Sequence, residues 1–255
     1  KEFLGNKGRF NGEDIIDIIC KQPATANFIA RHIYSFFVAD EPPVPEWPYK
    51  LPRDPEAISA LCEVYFDSNY SIKEMLRFLL KSEFFKSEAV RYQRVKSPAE
   101  LMATVLKVTG ELDRPKYSMI ERSQNAMWMG QQLLAPPSVE GWHWGTEWID
   151  SGSLVERVNF ASQALGNLDN PGVSDLVDRI IEDNTEGTTF ENILDQILEE
   201  LAITSTSEQT KSALLEFGQS YSEKHVIDGG NKKVSREYIS EVLKLVGAMP
   251  EFQRA

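Results

Sequence analysis

The sequence predicts an all-α protein, a multi-helix, bundle-like domain with long Pro-rich and Trp-rich loops. Three observations support this prediction. Helix-start signals recur along the chain, apolar residues repeat at helical spacing, and no segment alternates apolar and polar residues as a half-buried strand does. The two loops are recognised by their density of Pro, Gly and Trp.

Helix starts are marked by a Ser or Thr that is followed three residues later by a Glu. At this spacing the hydroxyl oxygen accepts a hydrogen bond from a first-turn N–H, and the carboxylate accepts one from the N–H of the capping residue. The pattern occurs at Ser71, Ser97, Ser153 and Thr188. Pro98 stands at a first helical position, where its missing N–H costs nothing. Each signal predicts that a helix begins there.

Apolar periodicity predicts where the helices run. The clearest example is a stripe at i, i+3, i+4, i+7 and i+8, formed by Ile72, Met75, Leu76, Leu79 and Leu80. A second such stripe predicts a helix over 190–201, and shorter stripes predict helices around 15–19 and 29–37. Together with the start signals, periodicity also predicts helices over 55–67, 98–109, 118–133, 153–165, 174–182, 207–222 and 235–247.

Two segments interrupt the helical pattern and form the predicted long loops. Residues 41–55 contain six prolines, a density that forbids a helix and favours an extended strap anchored by Trp47. Residues 135–152 combine Pro and Gly turns with three tryptophans. We call these segments the Pro-rich strap and the Trp-rich loop.

The distribution of charge predicts a division of the chain. Residues 167–203 contain ten acidic residues and a single base, Arg179. Such a shift in composition is typical of a subdomain boundary. We therefore predict a main helical domain over 1–166, which includes the strap and the loop, and an acidic helical subdomain over 167–255 that packs on it.

Overall composition limits the classes of partner. The chain has 27 Lys and Arg against 39 Asp and Glu, a net charge of −12, which argues against nucleic acid. No run of about 18 apolar residues occurs, so no membrane span is predicted. Cys20 and Cys62 lie in apolar helical patterns, where free buried thiols and a disulfide are both compatible with the sequence.

The Trp-rich loop carries the candidate chemistry. Its side chains include Trp142, His143, Trp144, Glu147, Trp148 and Asp150. An aromatic platform beside groups that exchange protons suits sugar stacking or acid–base catalysis. In the alternative interpretation, the tryptophans fill gaps between helices and Asp150 or Ser153 caps the next helix. A glycosidase needs two carboxylates about 5 to 10 Å apart across a cleft, which sequence spacing does not establish.

Familiar enzyme signatures are missing from the sequence. It contains no Gly-rich phosphate loop, no GxSxG elbow and no HExxH motif, and its three histidines lack the spacing of metal ligands. His32, between Ile29 and Ile33, is interpreted as a core side chain rather than a catalytic base. We therefore predict no cofactor and no metal. The sequence does not decide whether the chain is an enzyme, and it favours a non-enzymatic role.

Three longer stretches resemble a bacterial family catalogued as domain of unknown function 1800. They are FLGNKGRFNGEDIIDIICKQPATANFIARHIYSFFV at 3–38, NYSIKEMLRFLLKSEFF at 69–85 and GQQLLAPPSVEGWHWGTEWIDSGSLVERVNFAS at 130–162. KSPAEL at 96–101 and LVGAMPEFQ at 245–253 fit as well. The resemblance runs nearly end to end, and it is most specific in PPSVEGW and SGSLVERVNF.

This resemblance implies a largely helical protein of which the chain is the C-terminal portion, exported to the periplasm or the cell exterior. It also implies a neighbouring gene for a protein of the family catalogued as domain of unknown function 1501. It brings no established activity or catalytic residues. The family signature falls on Pro136, Pro137, Gly141, Trp142, Trp148, Arg157 and Asn159.

Two functional hypotheses follow. The first is a binding or scaffold module for a protein partner, such as the neighbouring gene product, or for a surface polysaccharide. Its predicted binding residues are Trp142, Trp144, Trp148, Trp47, Arg157 and Asn159. The alternative is a hydrolase-like enzyme acting on carbohydrate, with Glu147 or Asp150 as acid or base and His143 assisting.

Overall fold

The computed structural model describes residues 1–113, 117–142, 144–184, 189–224 and 235–255. Within these ranges it contains thirteen α-helices and one two-stranded hairpin, which confirms the all-α prediction. The chain forms two compact units, Lys1–Arg94 and Val95–Ala255. The boundary predicted between residues 166 and 167 lies inside the second of these units.

The first unit begins with an antiparallel hairpin, which the sequence analysis did not anticipate because each strand has only two residues. Its elements are β1 (Glu2–Phe3), β2 (Asn6–Lys7), α1 (Gly12–Cys20), α2 (Pro23–Phe37), α3 (Pro55–Asp67), α4 (Ile72–Lys81) and α5 (Glu83–Lys86). Helix α3 packs against both α2 and α4. Their shared core includes Ala30, Tyr34, Leu61, Tyr65, Met75 and Leu79.

The Pro-rich strap connects α2 to α3 and is tied down by a buried ion pair. It contains one 3₁₀-helix, Val44–Glu46, and so is not extended throughout. The Arg31 guanidinium on α2 lies 2.6 Å from a carboxylate oxygen of Glu41, and both side chains are almost fully buried. The other Glu41 oxygen accepts a hydrogen bond from the backbone N–H of Arg53. Buried charges of this kind are found paired and hydrogen-bonded, so the strap is held at both of its ends.

The described part of the second unit contains the remaining eight helices. They are α6 (Pro98–Val108), α7 (Ser118–Trp128), α8 (Ser151–Leu165), α9 (Pro171–Asp183), α10 (Phe190–Glu200), α11 (Glu208–Lys224), α12 (Arg236–Ala248) and α13 (Pro250–Gln253). Helices α8 and α12 pack most extensively. A Cβ added at Gly247 of α12 would lie 3.0 Å from the Ala161 backbone of α8, so small residues permit this close approach.

Several helix starts follow the sequence signals. Ser71 caps α4, and Ser97 forms a capping box with Glu100 at the start of α6. Helix α8 begins earlier than predicted, at Ser151, because Asp150 provides its cap. Thr188 lies outside the described residues, and Thr189 caps α10.

One helix is shorter than predicted. The sequence pattern indicated a helix over 118–133, whereas α7 ends at Trp128. Gly130 adopts a φ of +100°, and Leu134 follows with a φ of +63°. Backbone of this kind cannot continue a right-handed helix. As a result, residues 129–134 extend the Trp-rich loop at its N-terminal side. Every helix in the described ranges is too short or too polar to cross a bilayer.

Candidate functional site

The Trp-rich loop, residues 135–152, links α7 to α8 and is anchored by Trp148. The Trp148 side chain is only 6% exposed, and its ring lies 3.9 Å from the position that a Cβ at Gly130 would occupy. The Ser153 hydroxyl donates a hydrogen bond to the Trp148 carbonyl at 2.8 Å. Trp148 therefore packs the base of the loop and is not available as a stacking platform.

A tight turn forms the tip of the loop. Ser138 and Gly141 form an isolated antiparallel bridge, and Gly141 has a φ of +96°. The backbone N–H of Glu140 donates to the Ser138 hydroxyl at 3.1 Å. Pro136 and Pro137 precede this turn and restrict its backbone. The turn presents the side chain of Val139 fully to solvent.

Asp150 is committed to the start of α8. Its carboxylate accepts hydrogen bonds from the backbone N–H groups of Gly152 at 2.7 Å and Ser153 at 3.0 Å. The bonds from Ser153 and Gly152 hold the pKa of the Asp150 carboxyl below its usual range. A general acid needs a pKa close to the working pH, so this carboxylate is suited to helix capping.

The other loop candidates are distributed over the surface. Trp142 is half-buried, and its indole N–H finds no hydrogen-bond acceptor in the part of the chain that the structure describes. Trp144 is 57% exposed, and the Glu147 side chain is also exposed. His143 lies outside the described residues. Of the three predicted catalytic residues, the structure thus describes Glu147, which is exposed, and Asp150, which caps α8.

An exposed apolar surface surrounds the loop, and we call it the apolar face. Its residues lie on α7 and its N-cap, on the segment that joins α7 to α8 and on the first two turns of α8, and α7 packs against α8. They are Tyr117, Ile120, Met127, Trp128, Leu133, Leu134, Val139, Trp144, Ile149, Leu154 and Val155. Among the described residues from 156 to 255, by contrast, no large hydrophobic side chain is exposed.

Within the described second unit, this confinement distinguishes the apolar face from scattered surface hydrophobics. Single exposed apolar residues are common on proteins and need no explanation, whereas their concentration in one region marks an interaction site. On α7, Ile120, Met127 and Trp128 stand at i, i+7 and i+8, so they share one side of the helix. That side faces solvent. The solvent-facing side of α7, which the described residues of its own unit leave uncovered, is thus apolar.

Backbone strain coincides with exposure at Leu134. Its φ of +63° belongs to the left-handed region, which residues with a Cβ avoid at a cost of about 1 kcal/mol. The side chain is 96% exposed, so packing within the unit does not offset that cost. Strained residues of this kind concentrate at functional sites.

Arg157 is fully buried in the second unit and therefore does not form part of its surface. Its guanidinium donates to the Lys96 carbonyl at 2.8 Å, the Gln253 carbonyl at 3.3 Å and the Gln253 side-chain oxygen at 3.2 Å. Burial lowers the pKa of this guanidinium to about 10, against the opposing charge of Glu100. Arg157 therefore cross-links the start of α6, α8 and α13. Asn159, also on α8, is exposed.

Trp47 lies in the first unit, where neighbouring side chains contact its ring. Its indole N–H donates to the Pro42 carbonyl at 2.6 Å, and the Arg31 guanidinium carbon lies 4.5 Å from the ring centroid. Phe28 and His32 pack against it with centroid separations of 5.6 and 4.7 Å. These contacts suit the anchoring of the strap.

The interpretation of His32 as a core side chain is wrong. His32 belongs to the exposed residues of α2, where its ring lies against Phe28 and Trp47. Partial burial lowers the pKa of its imidazole. The periodicity placed His32 between two apolar positions, but the side chain falls on the edge that faces the strap instead of α3.

The described ranges contain no cluster of metal-ligating side chains and no disulfide. No three His, Cys, Asp or Glu side chains there come close enough to share a metal ion. Cys20 and Cys62 are half-buried free thiols. Burial raises the pKa of the Cys62 thiol, with a smaller contribution from Glu63. A raised pKa keeps the thiol protonated and unreactive.

Sequence reasoning missed the aliphatic part of the apolar face. It selected tryptophans and ionisable groups because those residue types carry recognisable chemistry. A weaker signal of exposure was present in the sequence. It is the position of Leu133, Leu134 and Val139 around Pro136 and Pro137, in a segment without any helical or strand period. Apolar residues in such a segment have no regular element to bury them, so they are candidates for exposure.

Comparison with known proteins identifies a family. Residues 1–254 match the family described as "Protein of unknown function (DUF1800)". No curated protein and no solved structure matches the chain significantly.

Proposed function

We propose that this chain, which belongs to the DUF1800 family of proteins of unknown function, is a binding module that docks a protein partner on its apolar face. The observation that carries the proposal is the confinement of exposed large hydrophobic side chains in the described second unit to residues 112–155. Burying such a surface against a partner is favourable because it removes apolar area from water.

The composition of the face favours a protein over a polysaccharide. Sugar-binding sites stack flat aromatic rings against sugars and surround them with hydrogen-bonding groups. Here the exposed side chains are mostly aliphatic, including Leu133, Leu134 and Val139, and the aromatic ones are Trp128, Trp144 and Tyr117. Aliphatic side chains gain from contact with other apolar side chains, which a polysaccharide does not offer. Mixed aromatic and aliphatic anchors are typical of the core of protein interfaces.

The hydrolase alternative has less support. Asp150 accepts two backbone hydrogen bonds that stabilise its ionised form, so it is poorly suited to donate a proton. Trp148 is buried at the base of the loop. A carbohydrate-cleaving role would then depend on Glu147 with a group outside the described residues.

The partner can be sought by site-specific cross-linking. We propose the product of the neighbouring gene as the first candidate. A photo-cross-linking amino acid replaces Val139 at the tip of the loop, and in a matched protein it replaces Glu199, which is exposed on α10 away from the face. Position 139 should yield a cross-linked protein that position 199 does not, and Trp144→Ser should abolish it. The same partner, once purified, should bind the chain directly.

Two results would contradict this function. Equal cross-linking from positions 139 and 199 would mean that the face has no special role. Retention on a glycan array that Trp144→Ser abolishes, without any protein cross-link, would favour the polysaccharide alternative. Export to the periplasm or cell exterior belongs to the same proposal, and fractionation of the source cells measures it.

A further inference from the structure

We propose that the chain forms a homodimer through helix α2, in which aromatic side chains on the outer side of this helix pack against those of a second copy. These side chains are Phe28, His32 and Phe36, and we call them the aromatic stripe. The stripe belongs to the first unit and the apolar face to the second. The homodimer is therefore independent of the docking function proposed for the apolar face.

The aromatic stripe occupies the side of α2 that points away from the core of its unit. Its three residues stand at i, i+4 and i+8, a spacing that places them one above another on one side of a helix. All three are exposed, Phe28 by 49% and Phe36 by 52%. The buried residues of α2, among them Ala30 and Ile33, lie on the opposite side. A solvent-facing side of a helix normally carries charged or polar residues, so α2 exposes rings where such residues are expected.

Contacts between rings hold the stripe in place. The rings of Phe28 and His32 pack edge to face, with centroids 4.4 Å apart. Trp47 of the Pro-rich strap contacts both of them. At the other end of the stripe, the Phe37 ring packs against the Phe36 ring with centroids 4.8 Å apart. Because these neighbours already restrict the rotamers of the rings, little side-chain entropy is lost when a second copy covers them.

The stripe carries no formal charge, which allows it to meet its own copy. The only Asp, Glu, Lys or Arg in Pro23–Phe37 is Arg31, whose guanidinium is buried against Glu41. Partial burial lowers the pKa of the His32 imidazole, so its neutral form prevails at neutral pH. In a symmetric dimer each patch faces the same patch of the partner, and a charged patch would repel itself. A neutral stripe avoids this repulsion in a chain whose net charge is −12.

The geometry of the stripe favours a second copy over other occupants. The rings of Phe28 and His32 are inclined at 70°, so they do not form the flat platform on which a sugar ring stacks. Helices that lie on a membrane surface carry Lys or Arg on their polar side, and α2 exposes neither. A row of bulky side chains at i, i+4 and i+8 packs into the groove beside such a row on another helix. A second copy supplies that row.

The size of the stripe predicts a weak dimer. An aromatic side chain buries about 200 Å² when it is enclosed, so a half-exposed ring has about 100 Å² left to bury. The stripe and Phe37 thus offer about 400 Å² per copy, at the low end of specific interfaces. The dissociation constant should therefore be on the order of 100 μM. Salt should strengthen the dimer, because it screens the repulsion between two chains of charge −12.

Sedimentation equilibrium of the full chain, from about 5 to about 500 μM, measures this association. Phe28→Ser with Phe36→Ser should raise the dissociation constant at least about tenfold, because it removes the two main apolar contacts. Ile72→Ser with Leu80→Ser is the matched control. These side chains also stand at i and i+8, on α4, and are 51% and 44% exposed. The control should dimerise like the parent protein, and circular dichroism verifies that both variants are folded.

Charges introduced at position 32 test the symmetry of the contact and leave the phenylalanines in place. His32→Glu and His32→Lys should each weaken the dimer about tenfold, because two like charges then meet in the middle of the stripe. An equimolar mixture of the two variants should associate at least as tightly as the parent protein, since a carboxylate then meets an ammonium group. This recovery requires position 32 of one copy to lie beside position 32 of the other.

Four results would overturn the homodimer. They are a parent protein that stays monomeric at about 500 μM, equal loss of the dimer in the two serine double variants, no recovery on mixing the charged variants, and loss of the dimer in Trp144→Ser. The last result would assign self-association to the apolar face. Binding to neutral lipid vesicles or to a glycan array that Phe28→Ser with Phe36→Ser abolishes, without any dimer, would give the stripe another occupant. A dimer that persists in Trp144→Ser supports the stripe and leaves the proposed function to its own cross-linking test.

Discussion

Leu134 combines two unfavourable features, a left-handed backbone conformation and an apolar side chain in water. Asn adopts this conformation more readily than Leu does. Leu134→Asn should therefore raise the free energy of unfolding by about 0.5 kcal/mol in urea denaturation. The same variant should weaken binding of the cross-linked partner by at least about tenfold, because central apolar anchors dominate interface energy.

Ala202 provides the control for this prediction. It is exposed with a φ of +56° and lies outside the apolar face. Ala202→Asn should relieve a similar strain and leave partner binding unchanged. If both variants bound the partner like the parent protein, Leu134 would have no role in docking.

Arg157 illustrates a buried charge that serves packing. Its three hydrogen bonds to Lys96 and Gln253 hold the C-terminal helix in place. Arg157→Met should reduce the free energy of unfolding by about 3 kcal/mol, because it removes bonds from a charged donor and leaves buried carbonyls without a partner. Arg179→Met changes a half-exposed arginine paired with Glu200, and it should cost less than about 1 kcal/mol. Equal losses would contradict a structural role for Arg157.

The stability of the first unit should fall at alkaline pH, because this unit buries the side chains of Tyr34 and Tyr65. Burial raises the pKa of Tyr34 to about 12, with added contributions from Asp54 and Glu41, and burial raises that of Tyr65 to about 12 beside Cys20. A raised folded-state pKa disfavours the phenolate, so this stability is fully present below the unfolded pKa of about 10 and is lost as pH rises towards about 12. Urea denaturation across that pH range measures the loss.

Substitution identifies the phenols that cause this response. Tyr65→Phe should flatten the alkaline loss of stability, although it also removes the hydrogen bond that the Tyr65 hydroxyl donates to the Cys20 carbonyl. That bond contributes about 1 kcal/mol at neutral pH. Tyr49→Phe alters a solvent-exposed ring and should leave the pH profile unchanged. A parent protein equally stable at neutral pH and near pH 11 would rule out the effect.

At the scale of elements, the junction of α6 with α9 depends on a glycine. Gly172 donates its N–H to the Thr109 carbonyl at 3.0 Å, and a Cβ added there would lie 2.2 Å from the Val108 carbonyl oxygen. Backbone atoms cannot move aside without shifting a helix. Gly172→Ala should therefore lower the free energy of unfolding by about 3 kcal/mol, measured by chemical denaturation.

Gly166, at the end of α8, offers a matched substitution. A Cβ there would also be crowded, but its neighbours are side-chain atoms of the flexible Lys244. Gly166 has a φ of −88°, which alanine adopts without strain. Gly166→Ala should cost less than about 1 kcal/mol, because Lys244 can change rotamer. If the two glycine variants lost equal stability, backbone contact would not be the cause.

At the scale of the whole molecule, the net charge of −12 favours a partner of opposite charge. A field of one sign accelerates encounter with a cationic partner and is screened by salt. The association rate with that partner should fall about tenfold as the salt concentration rises well above physiological, while the dissociation rate changes much less. Stopped-flow mixing measures both rates. A salt effect confined to dissociation would instead indicate a tightly buried ion pair.

Local interactions let the sequence by itself determine the helices and most of their starts. A helix start depends on contacts within a few residues, such as those of a Ser with the Glu three positions later or of a Pro in the first turn. For this reason α3, α4 and α6 begin where the pattern predicts. Apolar periodicity predicted the buried stripe of α4 only in part, because Met75 and Leu79 are buried whereas Ile72 and Leu80, at its two ends, are exposed. The early end of α7 was missed because periodicity continues past Gly130, where the backbone turns away.

Only the tertiary structure decided what the side chains of the candidate site do. Trp148 and Trp144 look alike in sequence, yet one packs against Gly130 and the other faces solvent. Arg157, placed by its motif among binding residues, is enclosed by Lys96 and Gln253, which lie 61 and 96 residues away from it in the chain. Exposure depends on which distant elements cover a residue, and no local pattern contains that information. The helices were therefore readable from the sequence, whereas the apolar face that carries the proposed function emerged only from packing.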